Sequence, residues 1–416
     1  PGHGEGPWHL SPTGKRRSGI GVTARMRRDP ARPHRIEIEA RYPEFTKLQT
    51  VELLPGESRI DCVTTISRWQ GRNQLLRVEF PFRHPGARPI FQTAAATIGR
   101  PFARDVDTAV DPWTLDQTTG QWVGLGAVAT IEIVPSDGPP IRRAIGVGEI
   151  VIDSGSGNDR LRQANELALA LVSLGVTTTI TRSEERRYGD LDDDSNVPDF
   201  RIFLGSEEEL RGTQTLVGGA PPLGEPIRYA EPQFTADGTP LDIALPTLWV
   251  RADAESRRLL LTSLTRDRAI VIPSEASRLT EGLPSVADRG IAVVNRGAIS
   301  CRVEPSGKLA VHLLRSCTSW PAGLWIDPPE RAHPDGSPLG AMHGTHRFEY
   351  TVIPYLGDHR DAEIAARGQE VQYPPLRQLY REGDGSIPDG KSWLSVEPAS
   401  VLLTALKPAG FESSSW

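Results

Sequence analysis

Two hydrophobic periods alternate along the chain, and their order predicts a β-rich protein interrupted by an α/β stretch. From 36 to about 134 the period is two. Ile60, Cys62, Thr64 and Ile66 fall on one face of a strand and the residues between them on the other, the pattern of a strand with one buried face. Gln70-Gly71-Arg72-Asn73 then supplies turn chemistry. Leu75, Leu76, Val78 and Phe80 form a second strand, stopped by Pro81. Residues 36–40 alternate, 48–54 broadly do so, and Pro55-Gly56 punctuates. Strands and turns at this spacing predict an antiparallel sandwich, with Glu37, Glu39, Glu52 and Arg59 on a wet face.

At about 131 the character changes. Residues 147–153 are largely apolar, 154–159 form a polar turn, and 160–174 read as an amphipathic helix. Leu161, Ala164, Leu167, Ala168, Leu171 and Val172 make its apolar stripe. Gly175 ends it and 176–181 is the next strand. Such a β-α-β unit implies a right-handed crossover and a parallel pair. Strand patterns at 200–204 and 269–272 and a helical one at 255–266 extend it. After 289 the β pattern returns, and 290–295, 298–303, 308–314 and 347–354 are all strand-like. Glu304-Pro305-Ser306-Gly307 is a hairpin turn, 358–367 a short helix or turn, and 393–406 supplies closing strands.

The predicted fold is therefore mostly β. A discontinuous β-sandwich region, 36–130 and 289–416, carries an inserted α/β domain, 131–288. The ends of such an insert are expected on a surface hairpin, which would make it separable. Residues 1–35, rich in Gly, Pro and Arg, read as a linker or peripheral segment.

With 416 residues, two or three domains are expected. A net charge of −6 with 24% charged residues leaves no basic footprint, so no nucleic-acid partner is expected. No apolar run approaches the roughly 20 residues that cross a bilayer, so no membrane partner is expected. Cys62, Cys301 and Cys317 are too sparse for a disulfide framework and suit a reducing compartment. No glycosylation sequon occurs and no leader pattern opens the chain, so a cytoplasmic location is expected. Arg far outnumbers Lys, which, with abundant Gly, Pro and Ala, points to a bacterial coding bias. No pattern specifies an oligomer.

Several constellations invite chemistry and fall short. His333, His343 and His346 lie near Asp327, Asp335 and Glu349, but His343-x-x-His346 puts its two rings on different faces of a strand. Asp190, Asp192, Asp194 and Asn196 resemble a calcium loop, yet Ser195 and Arg201 stand where the loop needs Gly and Glu. Gly155-Ser156-Gly157 sits between strand and helix, but Arg160 occupies the position of the third glycine of a dinucleotide fingerprint. Solvated turns account for the last two.

Certain strands carry a more specific signal. Asp61, Trp69, Leu76 and Phe80-Pro81 occur in an order that resembles glycoside hydrolase family 38, the α-mannosidases. Ala96-Thr97-Ile98-Gly99-Arg100-Pro101 is similar to the family's strand ending in Arg-Pro, and Gln121-Trp122-Val123 to its tryptophan strand. Residues 290–295, 309–316, His346-Arg347-Phe348-Glu349-Tyr350 and 392–407 continue the resemblance in order. It covers roughly 1–130 and 289–407 and omits the insert.

The resemblance implies a sandwich of the mannosidase C-terminal type, following a catalytic domain upstream. In the family a zinc held by His and Asp residues serves catalysis, near a His-x-His-x-Asp motif. No such motif occurs here, so no catalytic residue, metal ligand or cofactor is assigned to this chain. Zinc is expected in the upstream domain. The implied function is the non-catalytic C-terminal part of a glycosidase hydrolysing α-mannosidic bonds, completing the cleft of that domain and inactive alone. Its expected partners are the α-mannoside and the upstream domain. The alternative is a carbohydrate-binding or structural β-module. Pro1 and Trp416 are expected to be the ends of an excised or truncated stretch. Family β-domains place residues at the rim of the cleft, which makes Arg100 and Arg315, each following an apolar strand, substrate-rim candidates. Trp320 and Trp325, in a Pro/Gly-rich loop, are candidates for stacking on sugar.

Overall fold

Alternation becomes sheet along most of the chain. The protein is seen as a computed structural model that describes residues 24–94, 96–103, 105–107, 112–114, 117–182, 198–212, 226–230, 245–274, 286, 288–298, 300–316 and 339–374, with a few isolated positions near the two ends. The first strands are β1 (Ala24–Asp29), β2 (Arg32–Arg41), β3 (Thr46–Leu53), β4 (Ile60–Trp69), β5 (Gln74–Pro81), β6 (Arg88–Thr93) and β7 (Ala96–Gly99). Next come β8 (Asp105–Asp107), β9 (Pro112–Thr114), β10 (Gln117–Thr118), β11 (Trp122–Gly126), β12 (Ala129–Pro135) and β13 (Ile141–Ile145). The α/β stretch holds β14 (Val147–Ile152), α1 (Asn158–Ser173), β15 (Thr177–Arg182), β16 (Phe200–Gly205), α2 (Glu207–Gly212), β17 (Ile227–Ala230), β18 (Thr247–Arg251), α3 (Ala254–Asp267) and β19 (Ala269–Ser274). The chain continues through β20 (Arg289–Asn295), β21 (Ser300–Val303), β22 (Lys308–Ser316), a 3-10 turn (Leu339–Ala341), β23 (Gly344–Leu356) and α4 (Ile364–Gln372).

A nine-stranded sheet runs in the order β1-β2-β3-β4-β23-β20-β11-β6-β7, and a four-stranded sheet in the order β10-β21-β22-β5. All their pairs are antiparallel. They face one another across a core of Phe91, Val123, Leu125, Val293, Cys301, Val303, Leu309 and Val311. The fold is thus mostly β and of sandwich type. β20 shows why its sequence is an unbroken apolar run. Val293 points into this core, while Ala292 and Val294 point into another core behind the sheet. A strand buried on both faces loses its polar alternation.

That second core is the α/β stretch. β14, β15, β16 and β18 pair in parallel, with β17 antiparallel at the edge, in the order β15-β14-β16-β18-β17. Ala164, Leu167 and Leu171 of α1 and Leu260 and Leu264 of α3 cover one face. Gly175, at φ +90°, ends α1 in the left-handed conformation that favours glycine. Asp253 caps α3 by accepting from Ser256 N at 2.8 Å. The same continuous core takes in Ile90, Trp122, Ala292, Val294, Ile353 and Tyr355 from the nine-stranded sheet.

Polar contacts cross this junction too. Asp199, fully buried before β16, accepts from Gly146 N and Val147 N, each at 2.9 Å, and faces Arg88 of β6 at 3.3 Å. Burial pushes its carboxyl above the usual range, against the pull of Arg88 and of the backbone donors. After β23, Arg360 donates to Val128 O at 3.1 Å, to Leu174 O at the end of α1, and to Asp358 at 3.0 Å. Arg268, which ends α3 at φ +53°, faces Asp358 and Asp361.

Four details go beyond or against the sequence expectation. Residues 24–35, expected within a linker or peripheral segment, form β1 and the start of β2. Arg25, Arg27 and Arg28 obscure the alternation there because an edge strand leaves them in solvent. β4 and β5 are not paired with each other. The turn between them passes from one sheet to the other, because Trp69 turns into the core. β12 straddles residue 131 and pairs with β13 and, in parallel, with β19. Of the short helix or turn expected over 358–367, residues 359–363 are turn and the helix begins only at Ile364, because Asp358 and Arg360 are committed to the contacts above.

Candidate functional site at the Trp69 end of the sandwich

The β4–β5 corner and the start of β23 enclose a cavity of about 540 Å³, lined by Arg68, Trp69, Gln70, Arg72, His343 and Gly344. Its floor is set by Trp69, 2% exposed, packed with Phe45, Ile66 and Leu314. The indole Nε1 donates to Ala341 O at 3.2 Å, joining segments 272 residues apart in sequence. Gly71 lies so close that a Cβ there would sit 2.2 Å from the Trp69 ring. Gly71→Ala is therefore expected to cost about 1–3 kcal/mol by overpacking, read as a lower urea midpoint with an unchanged slope.

The walls are polar and cationic. Arg68 donates to Thr46 Oγ1 at 3.3 Å. The side chains of Gln70, Arg72 and His343 are exposed and have no hydrogen-bond or ion-pair partner among the described residues. Glu44, whose carbonyl accepts from Gln70 N, has its carboxylate on Arg17. Arg68, Asn73 and Met342 hold φ values of 59°, 50° and 52°, and Gly344 lies at 132°. Left-handed backbone at non-glycine residues carries strain, and such residues gather at binding sites.

The sequence candidates are placed apart. Arg315 lies on β22 opposite Leu75, half-buried and engaged with neighbours. Alternation puts it on the strand face away from Leu314, hence away from Trp69. Arg100 follows β7 at the far edge of the nine-stranded sheet, its guanidinium 5.4 Å from the centre of the Phe91 ring. Neighbouring Gly99 bonds to Gly175 and Thr177, so this edge meets the α/β stretch and not the cavity. Trp320 and Trp325 lie outside the described residues, as do His333 and the run from Asp190 to Asn196. His343 reaches the cavity, whereas His346 pairs through Nε2 with Met342 O at 2.7 Å and stacks on Phe348. Among the described residues no three His, Cys, Asp or Glu side chains come together as a metal site. The described residues thus offer no set that fits zinc.

In the α/β stretch, ligands of parallel sheets usually lie where strand order reverses, here between β14 and β16. There Ser156 Oγ donates to Glu209 at 2.9 Å and Arg160 pairs with the same carboxylate at 2.7 Å. Arg182 donates to Ser154 O and Ser156 O. These groups partner one another, with Arg160 Nε left over among the described residues. The sequence offered no sign of the Arg68, Gln70 and Arg72 wall beyond the polar turn itself.

No protein-family model matches the sequence, and no curated protein does. Among solved structures the chain is similar to a protein in glycosyl hydrolase family 38 from Enterococcus faecalis. The identity is 10% and the TM-score 0.37, over 85% of this chain and 25% of that one. It is also similar to an α-mannosidase from Enterococcus faecalis V583, at 11% identity and TM-score 0.37, over 85% and 24%. The chain spans about a quarter of the length of these structures.

Proposed function

We propose that this chain is the C-terminal, non-catalytic part of an α-mannosidase-like glycoside hydrolase. Its sandwich, built from 36–130 and 289–416, would support and complete the cleft of an upstream zinc-dependent domain. One observation carries the reading. Four of the strands that bear the family-like motifs, β4, β11, β20 and β23, are bonded side by side in one sheet although they come from both ends of the chain, and two more, β5 and β22, pair in the sheet that faces it. Motifs dispersed over nearly 300 residues thus belong to one structural unit.

The test is enzymatic. The purified chain is expected to show no turnover of aryl α-mannosides, with or without Zn²⁺, and to support turnover once joined to its native upstream domain. Metal-dependent hydrolysis by the chain alone would overturn this reading. In the joined enzyme, Arg100→Ala is expected to leave kcat and KM unchanged, since its guanidinium lies over Phe91. The second reading, a carbohydrate-binding module without catalysis, is favoured by the open Trp69 cavity with its unpartnered donors. Saccharide binding by a chain that no upstream domain activates would select it.

A further inference from the structure

We propose that the Trp69 cavity binds the anionic group, carboxylate or phosphate monoester, of a charged saccharide. The saccharide part rests on the carbohydrate role proposed above; the charge preference does not. Arg68 and Arg72 flank the corner, His343 stands across from them, and among the described residues no acidic side chain lines the space. Among the described residues the side chains of Arg72 and His343 have no hydrogen-bond partner, and that of Arg68 has one, at 3.3 Å. Two guanidinium groups with free donors match the fork geometry of a carboxylate or phosphate. Gln70, also unpartnered, can donate to or accept from a hydroxyl beside the charge.

The backbone holds this arrangement in place. Arg68 and Asn73 bracket the corner at positive φ, and Met342 and Gly344 do the same across the cavity. Trp69 fixes one wall to the other through Ala341 O. The backbone that carries the basic groups is therefore held in place before a ligand arrives, which lowers part of the ordering cost of binding. The overall charge of −6 gives no general attraction for anions, so a preference for them would have to come from this cavity.

Calorimetric titration of the purified full chain at low salt tests the assignment with mannose, mannose 6-phosphate, glucuronate and inorganic phosphate as probes. At least one charged sugar is expected to bind tenfold or more tightly than mannose. Which of the two binds separates a phosphate from a carboxylate. Arg68→Gln and Arg72→Gln, each with an unchanged melting temperature, are expected to weaken that binding at least fivefold. Raising the salt is expected to weaken it as well. Mannose binding as tightly as the charged sugars would overturn the charge preference and leave the proposed carbohydrate role standing. Inorganic phosphate binding as tightly as mannose 6-phosphate would overturn the saccharide assignment. Binding that survives both arginine substitutions, or no binding of any charged probe at about 10 mM, would overturn the site.

Discussion

Deleting residues 135–286 and closing the gap with a short Gly-rich linker is expected to abolish the cooperative thermal transition of the whole chain. The sequence suggests the opposite, since an insert entered and left through a surface hairpin should be separable. The packing decides against it. Ile90, Trp122, Ala292, Val294, Ile353 and Tyr355 turn the back of the nine-stranded sheet toward Ile150, Leu167, Leu171 and Leu264, in one continuous core. Trp122, Ala292, Val294 and Ile353 are about 0% exposed, and the deletion would strip Ile150, Leu167, Leu171 and Leu264 from their core, leaving α4 and His359 to cover only part of it. Fully exposing a large apolar side chain costs about 1.5–3 kcal/mol, and several such losses are comparable with the roughly 5–15 kcal/mol that holds a domain folded. The deletion would also remove Asp199, stranding Arg88, and Leu174 O, a partner of Arg360. Calorimetry of the deletion variant checks this. A single transition within a few degrees of the parent would mean that the sandwich stands alone. A gentler version is Leu171→Ala, a residue of α1 expected to cost about 2–5 kcal/mol. With one shared core, it should lower a single transition for the whole chain. Two separated transitions would contradict the coupling.

What the sequence conveyed followed from what periodicity can encode. The apolar stripe of 160–174 placed α1 within two residues, because burial against a sheet requires apolar residues at helical spacing. The same held for α3 and for the strands at 200–204 and 269–272. Alternation in 60–66 marked a half-buried strand but not its mate. Period two names a face and leaves open which sheet completes the core, so the passage of the β4–β5 corner between sheets stayed hidden. The cavity was hidden for a related reason. Its walls come from the 68–72 turn and from 343–344, which only tertiary packing brings together. Arginine is equally suited to a ligand, an aromatic face or a carboxylate. Arg100, read as a substrate-rim candidate, in the structure covers Phe91. The acidic and basic cluster at 358–361 read only as part of a short helix or turn. Its residues instead reach Val128 O, Leu174 O and Arg268, partners that no local pattern reveals.

That cluster underlies the second large effect, an acid-induced loss of stability through His359. The ring is 3% exposed and lies against Trp122, with centroids 5.9 Å apart. Burial pulls its pKa down to about 4, Arg360 and Arg268 add to the depression, and Asp358 and the Ala127 backbone oppose it. His359 Nδ1 lies 3.4 Å from Asp358, which already receives Arg360 and Arg268. A folded-state value below the unfolded one near 6.5 means that the unfolded chain binds the extra proton first. The stabilisation is therefore complete above pH 6.5 and is lost as the pH falls toward 4. A fall from 6.5 to about 4 corresponds to about 3 kcal/mol across that window. The loss falls on the loop through which Arg360 grips the end of α1, at the junction of the α/β stretch with the sandwich. Urea denaturation at pH 7, 5.5 and 4.5 is expected to show a steep decline for the parent and a shallower one for His359→Gln. Parallel declines in the two proteins would remove His359 from the account. Should the variant fail to fold, NMR titration of the His359 ring in the parent gives the answer directly. A midpoint near 6.5 would contradict the buried, neutral imidazole, and one near 4 would place the acid sensitivity at this latch.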